Sequence, residues 1–432
     1  MTAACETHAR ERAPLFQGST ARLMRTTTLS RSISRAIGRP TEKLKRKIRP
    51  CTGAAENDML SCMMKNLMTD EKLRERRVPR EEDLRGPFLR DQTAIIHSLP
   101  FRRLKHKTQV FSAPENDHIC TRMEHVMHVA TIAVSIVRGL NRLGWQLNEE
   151  AAFAIGIGHD LGHPPFGHVG EHALDAILGR HGSSFMHEIN GLRVVDVLAN
   201  DGRGLNLTFA VRDGIVCHNG EKFEPSLVPA DTPNIPEHVL DRNARPSTWE
   251  GCIVRFSDKI AYLGRDIEDA IDANLISEQD VPDLVRRELG NRNGEIINTL
   301  VVDLITASSD SGAIRFSPER FAIINELRRF NYERIYFHPK LREYGAYIDE
   351  IVGRLFGHLH GLATRFGAEY ARYAASPLPL DRMFGHYLER MEQAYQRESA
   401  GPERMAADYL SGMTDEFALS SLRQITFPPP IC

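Results

Sequence analysis

Apolar and polar positions along this chain follow helical spacing, most clearly in the run from Asn148 to Gly158. Asn148 is a favourable N-cap residue, and Glu149 and Glu150 suit the positive end of a helix dipole. The body that follows, AAFAIGI, is apolar on every side. Because a helix without a polar face must be buried, the pattern predicts a core helix that ends just before His159.

A longer run at 119–144 has apolar side chains at steps of three and four, which predicts an amphipathic helix. Its apolar positions are Ile119, Met123, Met127, Ala130, Val134, Val137 and Leu140. His125 and His128 lie in the first half of this helix. One of these two histidines could face a site formed with His159.

The run at 247–274 predicts another helix, and the sequence STWE at Ser247–Glu250 fits a capping box at its start. Asp258, Tyr262 and Asp266 are spaced four residues apart and therefore share one face. The rest of the helix body is largely apolar, so Asp258 is expected to be buried. A buried carboxylate needs a cation or a hydrogen-bond donor.

The remaining pattern is also mostly helical. Further helices are predicted at 71–90 (charged and solvated), 170–178, 185–198 and through most of 280–395. Residues 199–246 are irregular, and the segments 205–209 and 211–216 fit either short strands or helix starts. Together these patterns predict an all-α fold with a few short irregular or strand segments.

Composition describes an ordinary globular chain, with 41% hydrophobic and 26% charged residues and no run long enough for a membrane span. Its seven cysteines show no CxxC spacing, which favours reduced thiols in the cytoplasm. Residues 1–50 hold twelve Lys and Arg against three Asp and Glu, although the whole chain has a net charge of −2. Residues 1–70 are therefore predicted to be a basic, disordered extension or an upstream translation start, with an organellar transit peptide as the alternative.

Candidate chemistry is concentrated in the fourteen residues that follow the core helix, HDLGHPPFGHVGEH. They contain four imidazoles and two carboxylates, namely His159, His163, His168, His172, Asp160 and Glu171. A lone His-Asp pair would be unremarkable, but this density in a turn shaped by Pro and Gly after a buried helix is typical of a metal and catalytic site.

Positive charge is concentrated upstream, at Arg102, Arg103, Lys105, His106 and Lys107. Such a run can be a solvated helix face. Its closeness in sequence to the candidate metal site favours phosphate binding, because guanidinium and ammonium groups match phosphate oxygens. The chain contains no G-x-x-x-x-G-K-[ST] motif, which disfavours cleavage of the P-loop type.

The order His125, His159-Asp160 and Asp258 resembles the H…HD…D signature of the HD metal-dependent phosphohydrolase superfamily. Longer segments resemble its deoxyguanosinetriphosphate triphosphohydrolase-like (dGTPase-like) branch, namely FRRLKHKTQVF, TRMEH, HDLGHPPFGHVGE and DKIAYLGRDIEDA. The similarity runs from about residue 90 to 270 and more weakly to 340. It implies an HD-type domain over 71–380, followed by a C-terminal helical segment and tail over 381–432.

The resemblance also implies roles for individual residues. His125, His159, Asp160 and Asp258 match the metal ligands, and His168 with Glu171 matches the catalytic histidine and its acidic partner. The implied substrate-binding residues are Gln109, Arg122, His163, His187, Lys259, Tyr262, Asp266, Arg328 and Tyr336. Three positions depart from the family pattern, namely Glu124, His128 and Arg265, and these departures concern substrate preference or regulation.

The implied activity is hydrolysis of deoxynucleoside triphosphates, dGTP or several dNTPs, to deoxynucleoside and inorganic triphosphate. Two imidazoles and two carboxylates suit a divalent ion such as Mn²⁺, Mg²⁺ or Fe²⁺. The alternatives are another HD-type nucleotidase or phosphodiesterase, and a non-enzymatic nucleotide-binding regulatory subunit. The resemblance further implies a homo-oligomer, a dNTP effector and weak binding of single-stranded DNA, with no membrane association.

Overall fold

The computed structural model describes residues 66–110, 119–219 and 222–427, and the regular secondary structure within them is almost entirely helical. The helices up to residue 216 are α1 (Asp70–Arg74), α2 (Gly86–Ile96), α3 (Leu99–Arg103), α4 (Arg122–Asn141), α5 (Glu149–Gly158), α6 (Gly167–Gly179), α7 (His187–Arg193), α8 (Ala199–Gly202) and α9 (Phe209–Val216). The disordered extension is predicted over residues 1–70, and residues 1–65 of it lie outside the described part of the chain.

The later helices are α10 (Trp249–Asp272), α11 (Asp283–Glu288), α12 (Asn293–Ser308), α13 (Pro318–Asn331), α14 (Pro339–Phe366), α15 (Tyr370–Ala374), α16 (Pro379–Glu398), α17 (Pro402–Ser411) and α18 (Asp415–Thr426). Short 3₁₀ or π turns occupy Leu104–His106, His159–Gly162, Val194–Leu198, Pro236–His238, Glu278–Asp280 and Tyr332–Tyr336. Strands β1 (Ser226–Leu227) and β2 (Ile314–Arg315) form one antiparallel pair. The predicted all-α fold with short strand segments is confirmed.

Local signals set the boundaries of the helices that matter most for the site. The side chain of Asn148 accepts the Ala151 N–H, which makes Asn148 the N-cap of α5. The interior of α5 packs against α4, where an added Cβ on Gly156 would lie only 2.6 Å from the Ala130 Cα. Glycine at position 156 therefore lets the two helices approach closely.

Buried apolar side chains form two clusters. The first cluster combines α4, α5, α9, α10 and α12 and includes Val129, Ile155, Ile215, Phe256 and Leu304. The second cluster combines α6, α14, α16, α17 and α18 and includes Leu174, Leu355, Phe384, Leu410 and Ala418. No helix of the described segments is long and apolar enough to cross a bilayer.

The structure corrects the solvated helix predicted at 71–90. Helix α1 ends at Arg74, and the next helix begins only at Gly86. Between them Arg76 forms a β-bridge with Thr208, and its guanidinium donates to the buried carboxylate of Asp91 at 2.6 Å. The β-bridge and the ion pair thus connect Arg76 to two distant residues, and the chain at Arg76 is not part of a helix.

The prediction of a capping box over Ser247–Glu250 at the start of α10 is also wrong. Thr248, not Ser247, caps the helix by accepting the Gly251 N–H. Ser247 instead donates to Asp213 at 2.7 Å, and Glu250 accepts the Asn148 N–H at 2.7 Å. Both side chains serve tertiary hydrogen bonds that local sequence could not indicate.

Two further expectations change in detail. The segment 211–216 belongs to helix α9, which resolves the choice between strand and helix there. In α4 the predicted position Met127 is exposed, whereas Val126, Val129 and Ile136 are buried. Because α4 is covered by both α5 and α10, its buried face is broader than the single stripe of apolar positions that the sequence predicts. The buried residues therefore differ in part from the predicted ones.

Candidate metal and catalytic site

Four predicted ligands meet where α4, α5 and α10 converge, and we call them the metal cluster: His125, His159, Asp160 and Asp258. The ligand atoms of His125, His159 and Asp160 all lie within 4.8 Å of one another, an arrangement that could hold a metal ion. The Oδ1 atom of Asp258 lies 3.0 Å from His125 Nε2 and 3.8 Å from His159 Nε2. Asp258 is buried, as the pattern of α10 predicts.

His159 is oriented as a metal ligand requires. Its Nδ1–H donates to the Gly156 carbonyl at 2.7 Å, which leaves the Nε2 lone pair directed into the cluster. That Nε2 atom is buried and has no hydrogen-bond partner among the described residues. An unpartnered buried nitrogen beside two carboxylates fits a divalent cation, so the donor set matches the predicted metal.

The two carboxylates of the metal cluster are held ionised. Burial alone would raise the pKa of Asp160, but His159 and the Arg122 guanidinium outweigh it and hold that pKa well below its usual range. Arg122 donates to Asp160 Oδ2 at 2.6 Å. Burial also opposes ionisation of Asp258, yet its hydrogen bond with His125 helps lower its pKa to about 2. Both groups therefore present negative charge to a cation at neutral pH.

A second group, which we call the His168 group, lies beside the metal cluster and consists of His163, His168, Glu171 and His187. The ligand-type atoms of these four residues lie within 4.8 Å of one another. His168 Nδ1 lies 3.1 Å from Glu171 Oε2, and the His168 side chain is 47% exposed. Glu171 is buried and also contacts His187 Nδ1 at 2.9 Å. The Nε2 atom of His163 lies 3.3 Å from Asp160 Oδ1, which joins this group to the metal cluster.

The local chain path explains how His168 reaches this position. Phe166 adopts left-handed φ of 64°, which is uncommon for a residue with a side chain, and Gly167 follows with φ of 59°. An added Cβ on Gly167 would lie 3.1 Å from Arg122 Nη2, so a larger residue would need Arg122 to shift as well as a strained φ. The two left-handed residues turn the chain sharply into α6, whose first turn carries His168.

The protonation states within this group differ. Burial would lower the pKa of His187, but Glu171 and Glu188 raise it to about 9, so His187 is an imidazolium at neutral pH. Burial and the Arg122 guanidinium lower the pKa of His163 well below its usual value. Burial opposes ionisation of Glu171, yet His187 and His168 hold its pKa below the ordinary range. His163 is therefore neutral and His187 charged, and both belong to the same group as the ionised carboxylate of Glu171.

A third group, which we call the Phe223 group, surrounds the ring of Phe223. The Arg328 guanidinium lies 4.9 Å and the Lys259 Nζ 5.3 Å from the ring centroid, and the Tyr262 ring lies 6.3 Å away. Near this group, the Tyr336 hydroxyl donates to Asp266. Helix α10 thus carries the predicted metal ligand Asp258 and the predicted substrate-binding residues Tyr262 and Asp266 on one face.

Comparison with known proteins adds the family to this geometry. An HD domain is matched at residues 122–263, and a phosphohydrolase-associated domain at residues 314–424. The chain is 37% identical to a deoxyguanosinetriphosphate triphosphohydrolase-like protein of Caldanaerobacter subterraneus subsp. tengcongensis, over 81% of this chain and 87% of that protein. Proteins of the same name are 34% identical in Desulfatibacillum aliphaticivorans, over 81% and 90%, and in Nitrobacter hamburgensis, over 79% and 90%. The chain belongs to the deoxyguanosinetriphosphate triphosphohydrolase-like family.

Membership of the deoxyguanosinetriphosphate triphosphohydrolase-like family confirms the resemblance stated above and identifies a metal-dependent phosphohydrolase. Two of the three departures from the family pattern make contacts within the fold. Glu124 forms a capping box at the start of α4, where its carboxylate accepts the Thr121 N–H at 2.7 Å. Arg265 pairs with Asp269 at 2.8 Å on α10. His128 is half-buried, and burial lowers its pKa.

Several residues of the site were missed by sequence reasoning. His218 is the clearest, because its Nε2 lies 3.1 Å from His187 Nε2, and Asp160, His187 and His218 form another group that could hold a cation. Burial and His159 lower the pKa of His218 to about 4, so it accepts a hydrogen bond from the His187 imidazolium. Its position directly after α9 lay in the segment that sequence left irregular.

Four charged residues that contact predicted site residues or one another were missed as well, namely Arg242, Glu188, Glu224 and Arg255. Arg242 donates to Glu171 at 2.7 Å and to Glu188 at 2.8 Å, so Glu171 is shared between an arginine and two histidines. Glu224 lies 3.2 Å from Lys259 and 2.6 Å from Arg255. Burial lowers the pKa of Lys259 to about 8 despite this partner.

The basic residues at positions 102–107 are divided between the surface and the interior of the protein. Arg102, Lys105 and His106 are exposed, whereas Lys107 is buried and donates to the His163 carbonyl at 2.5 Å. Gln109 is also buried, and its Oε1 has no hydrogen-bond partner within the described ranges. The predicted residues thus fall into the metal cluster, the His168 group, the Phe223 group and Gln109 beside Arg122.

Proposed function

We propose that this protein hydrolyses deoxynucleoside triphosphates to deoxynucleoside and inorganic triphosphate. The observation that carries the proposal is the direct contact between the metal cluster and the His168 group. His163 lies 3.3 Å from Asp160 and stacks on His187 with ring centroids 3.8 Å apart. A phosphoryl group bound at the metal cluster would therefore lie beside a half-exposed histidine that is paired with a carboxylate.

The metal cluster would hold the cation through two imidazoles and two carboxylates, and Mn²⁺, Mg²⁺ and Fe²⁺ all fit such a set. A bound divalent ion supplies Lewis-acid polarisation of the α-phosphoryl group. Arg122 keeps Asp160 ionised and oriented through its 2.6 Å hydrogen bond. The names of the relatives support a guanine deoxynucleotide as one substrate, because they refer to deoxyguanosinetriphosphate.

His168 would move the proton in this reaction. Water adds to the α-phosphorus, the bond from phosphorus to the 5′-oxygen breaks, and the proton released by water is balanced by one delivered to the 5′-oxygen. Imidazole can exchange protons near neutral pH, and Glu171 orients the His168 ring through Nδ1. His187 is already charged and would instead neutralise phosphate oxygens, together with Arg122 and Lys259.

The remaining predicted residues would select the nucleoside. The buried Gln109 Oε1 can accept a hydroxyl hydrogen of the sugar, and Asp266 with Tyr336 offers a second hydroxyl-binding pair. Tyr262 and Arg328 would line the sugar and base side of the bound nucleotide, and their contacts around Phe223 support this proposal.

The test is product analysis with each dNTP, singly and in pairs, in the presence of Mn²⁺, Mg²⁺ or Fe²⁺. The proposal expects inorganic triphosphate by ion chromatography and deoxynucleoside by reverse-phase chromatography. In oxygen-18 water the label should enter triphosphate and not the deoxynucleoside, because the bond to the 5′-oxygen breaks. Release of pyrophosphate or orthophosphate would indicate another HD-type nucleotidase or phosphodiesterase. Binding without turnover would indicate a regulatory subunit.

The pairwise incubations also test the proposed effector. One dNTP that stimulates hydrolysis of another would establish activation. Sedimentation with and without dNTPs tests the proposed homo-oligomer, and fluorescence anisotropy with a labelled oligonucleotide tests weak binding of single-stranded DNA. A cytoplasmic location is part of the same proposal and is tested by cell fractionation.

A further inference from the structure

Asp415, the first residue of α18, contacts two segments of the active site at once. Its Oδ1 accepts the Phe166 N–H at 2.9 Å, and its Oδ2 accepts the Thr108 N–H at 2.9 Å. The Thr108 hydroxyl donates to the same Oδ2 atom. Asp415 is separated from these residues by 249 and 307 positions along the chain. It therefore joins the C-terminal helices to two segments that are distant in sequence.

Each of these segments leads directly to a residue of the proposed chemistry. Phe166 has left-handed φ of 64° and stands two residues before His168, so its N–H fixes the turn that places the His168 ring. The Thr108 carbonyl accepts two hydrogen bonds from Arg122, at 3.1 and 3.2 Å, and Arg122 donates to Asp160. One carboxylate thus supports both the proposed catalytic histidine and a metal ligand.

A neighbouring lysine makes a parallel connection. Lys107 donates to the His163 carbonyl at 2.5 Å and to the Ser411 carbonyl at 2.9 Å. Arg103 donates to the Gly412 carbonyl at 2.9 Å. The segment from Ser411 to Asp415 is therefore hydrogen-bonded to three places around the site, and it lies within the matched phosphohydrolase-associated domain up to residue 424.

We propose that Asp415 is a positioning residue for the proposed hydrolase, through which the phosphohydrolase-associated domain sets the geometry of His168. The inference rests on the proposed function for its kinetic part only. A left-handed conformation at a residue other than glycine persists when surrounding contacts hold it, and the bond from Phe166 to Asp415 is such a contact. Displacement of a catalytic group by about 1 Å can lower turnover by about 10²-fold.

The competing explanation is that Asp415 only stabilises α18. An acidic residue in the first turn favours the helix dipole, and Thr414 already caps the helix by accepting the Phe417 N–H. Glu416 occupies the same first turn, carries the same charge and is exposed. Glu416→Gln is therefore the matched control for Asp415→Asn, because both remove one charge from the start of α18.

The kinetic test compares these two variants of the full chain. Asp415→Asn keeps the shape but can accept through one oxygen only, so kcat should fall about 10- to 100-fold while KM changes by less than about threefold. Metal content and melting temperature should stay near wild type, and Glu416→Gln should match wild type throughout. Equal losses in both variants, or wild-type kcat in Asp415→Asn, would overturn the proposal.

A double-variant cycle separates positioning from general damage. If Asp415 acts through His168, Asp415→Asn should lower kcat by less than about threefold in a His168→Ala background. A full additional loss in that background would contradict action through His168. Should Asp415→Asn fail to fold, Asp415→Glu takes its place, because it keeps the charge but moves the carboxylate by one methylene away from the Phe166 and Thr108 N–H groups. A reduced kcat in Asp415→Glu would support the proposal, and an unchanged kcat would oppose it.

A structural measurement keeps the inference independent of the substrate. In protein with isotopically labelled histidine, the NMR signals of the His168 ring, assigned with His168→Gln, should shift in Asp415→Asn and not in Glu416→Gln. This result is expected even if dNTPs are not the substrate, so failure of the proposed function would be distinguished from failure of the positioning role. An unchanged His168 signal in Asp415→Asn would overturn the role.

Discussion

The metal cluster and the pair formed by His168 and Glu171 lie side by side, but the helices that carry them belong to different hydrophobic clusters. The proposed ligands His125 and Asp258 project from α4 and α10, whose apolar residues belong to the first cluster. His168 and Glu171 project from α6, whose Leu174 and other apolar residues belong to the second cluster with the C-terminal helices. Metal binding and proton transfer should therefore respond to different parts of the fold.

This division also changes how the C-terminal helices are understood. They do not contribute a metal ligand, yet α18 supplies Asp415 and the end of α17 supplies the Ser411 carbonyl to the segments that bound the site. Their second contribution is to cover α6, because α14 packs against α6 and α17 packs in turn against α14. Helices α14, α17 and α18 therefore support the His168 side of the site more directly than the metal side.

The largest expected effect is on the metal side. Asp258→Ala removes a buried carboxylate whose low pKa keeps it charged, so the protein should lose bound metal and turnover together. Metal content by mass spectrometry and dNTP hydrolysis measure the two losses. Asp272→Ala, an exposed acid on the same helix, is the control and should retain both. Stoichiometric metal in Asp258→Ala would refute the ligand assignment.

The next largest effect concerns the His168 side. His168→Ala should lower kcat by about 10²–10⁴-fold, the usual contribution of general acid–base catalysis, with metal content unchanged. Glu171→Gln should cause a smaller loss, because it removes only the group that orients the ring. His172→Ala tests the exposed histidine of the same helix and should behave as wild type. Near-normal kcat in His168→Ala, with metal bound, would move the role to His163 or His187.

The two hydrophobic clusters can be compared by a pair of matched cavities. Leu174→Ala in the second cluster and Ile155→Ala in the first each remove a fully buried side chain and should cost about 2–5 kcal/mol of stability. Leu174→Ala should lower kcat and keep metal affinity, whereas Ile155→Ala should weaken metal affinity. Denaturation and metal titration give the two readouts. Identical functional defects in both variants would show that the clusters are not separate supports.

The smallest expected effect depends on pH. Burial raises the pKa of Asp266 to about 7, so the folded protein keeps a proton that the unfolded chain releases near pH 4. Stability contributed by this proton is therefore lost as pH rises toward 7, by about 1.4 kcal/mol per pH unit. Relative to Asp266→Asn, the metal-free wild type should lose about 2 kcal/mol between pH 5.5 and 7. Parallel stability curves for the two proteins would contradict the raised pKa.

The amino-acid sequence by itself determined the features that depend on neighbours along the chain. The cap at Asn148 and the apolar body of α5 are local, so the core helix and its end at His159 were predictable. The spacing on α10 also placed Asp258 correctly in the interior. The family motifs brought His125, His159, Asp160 and Asp258 into one predicted set because each occupies its own recognisable segment.

Only the tertiary structure decided which distant residues complete the site. His218, Arg242, Glu224 and Asp415 give no local signal, since an isolated histidine, arginine or acid is usually a solvated side chain. Their roles arise from hydrogen bonds across 31, 71, 35 and 249 positions, respectively. Lys107 was predicted to bind phosphate, but its ammonium donates to two backbone carbonyls, because a buried donor must be paired wherever the fold places it.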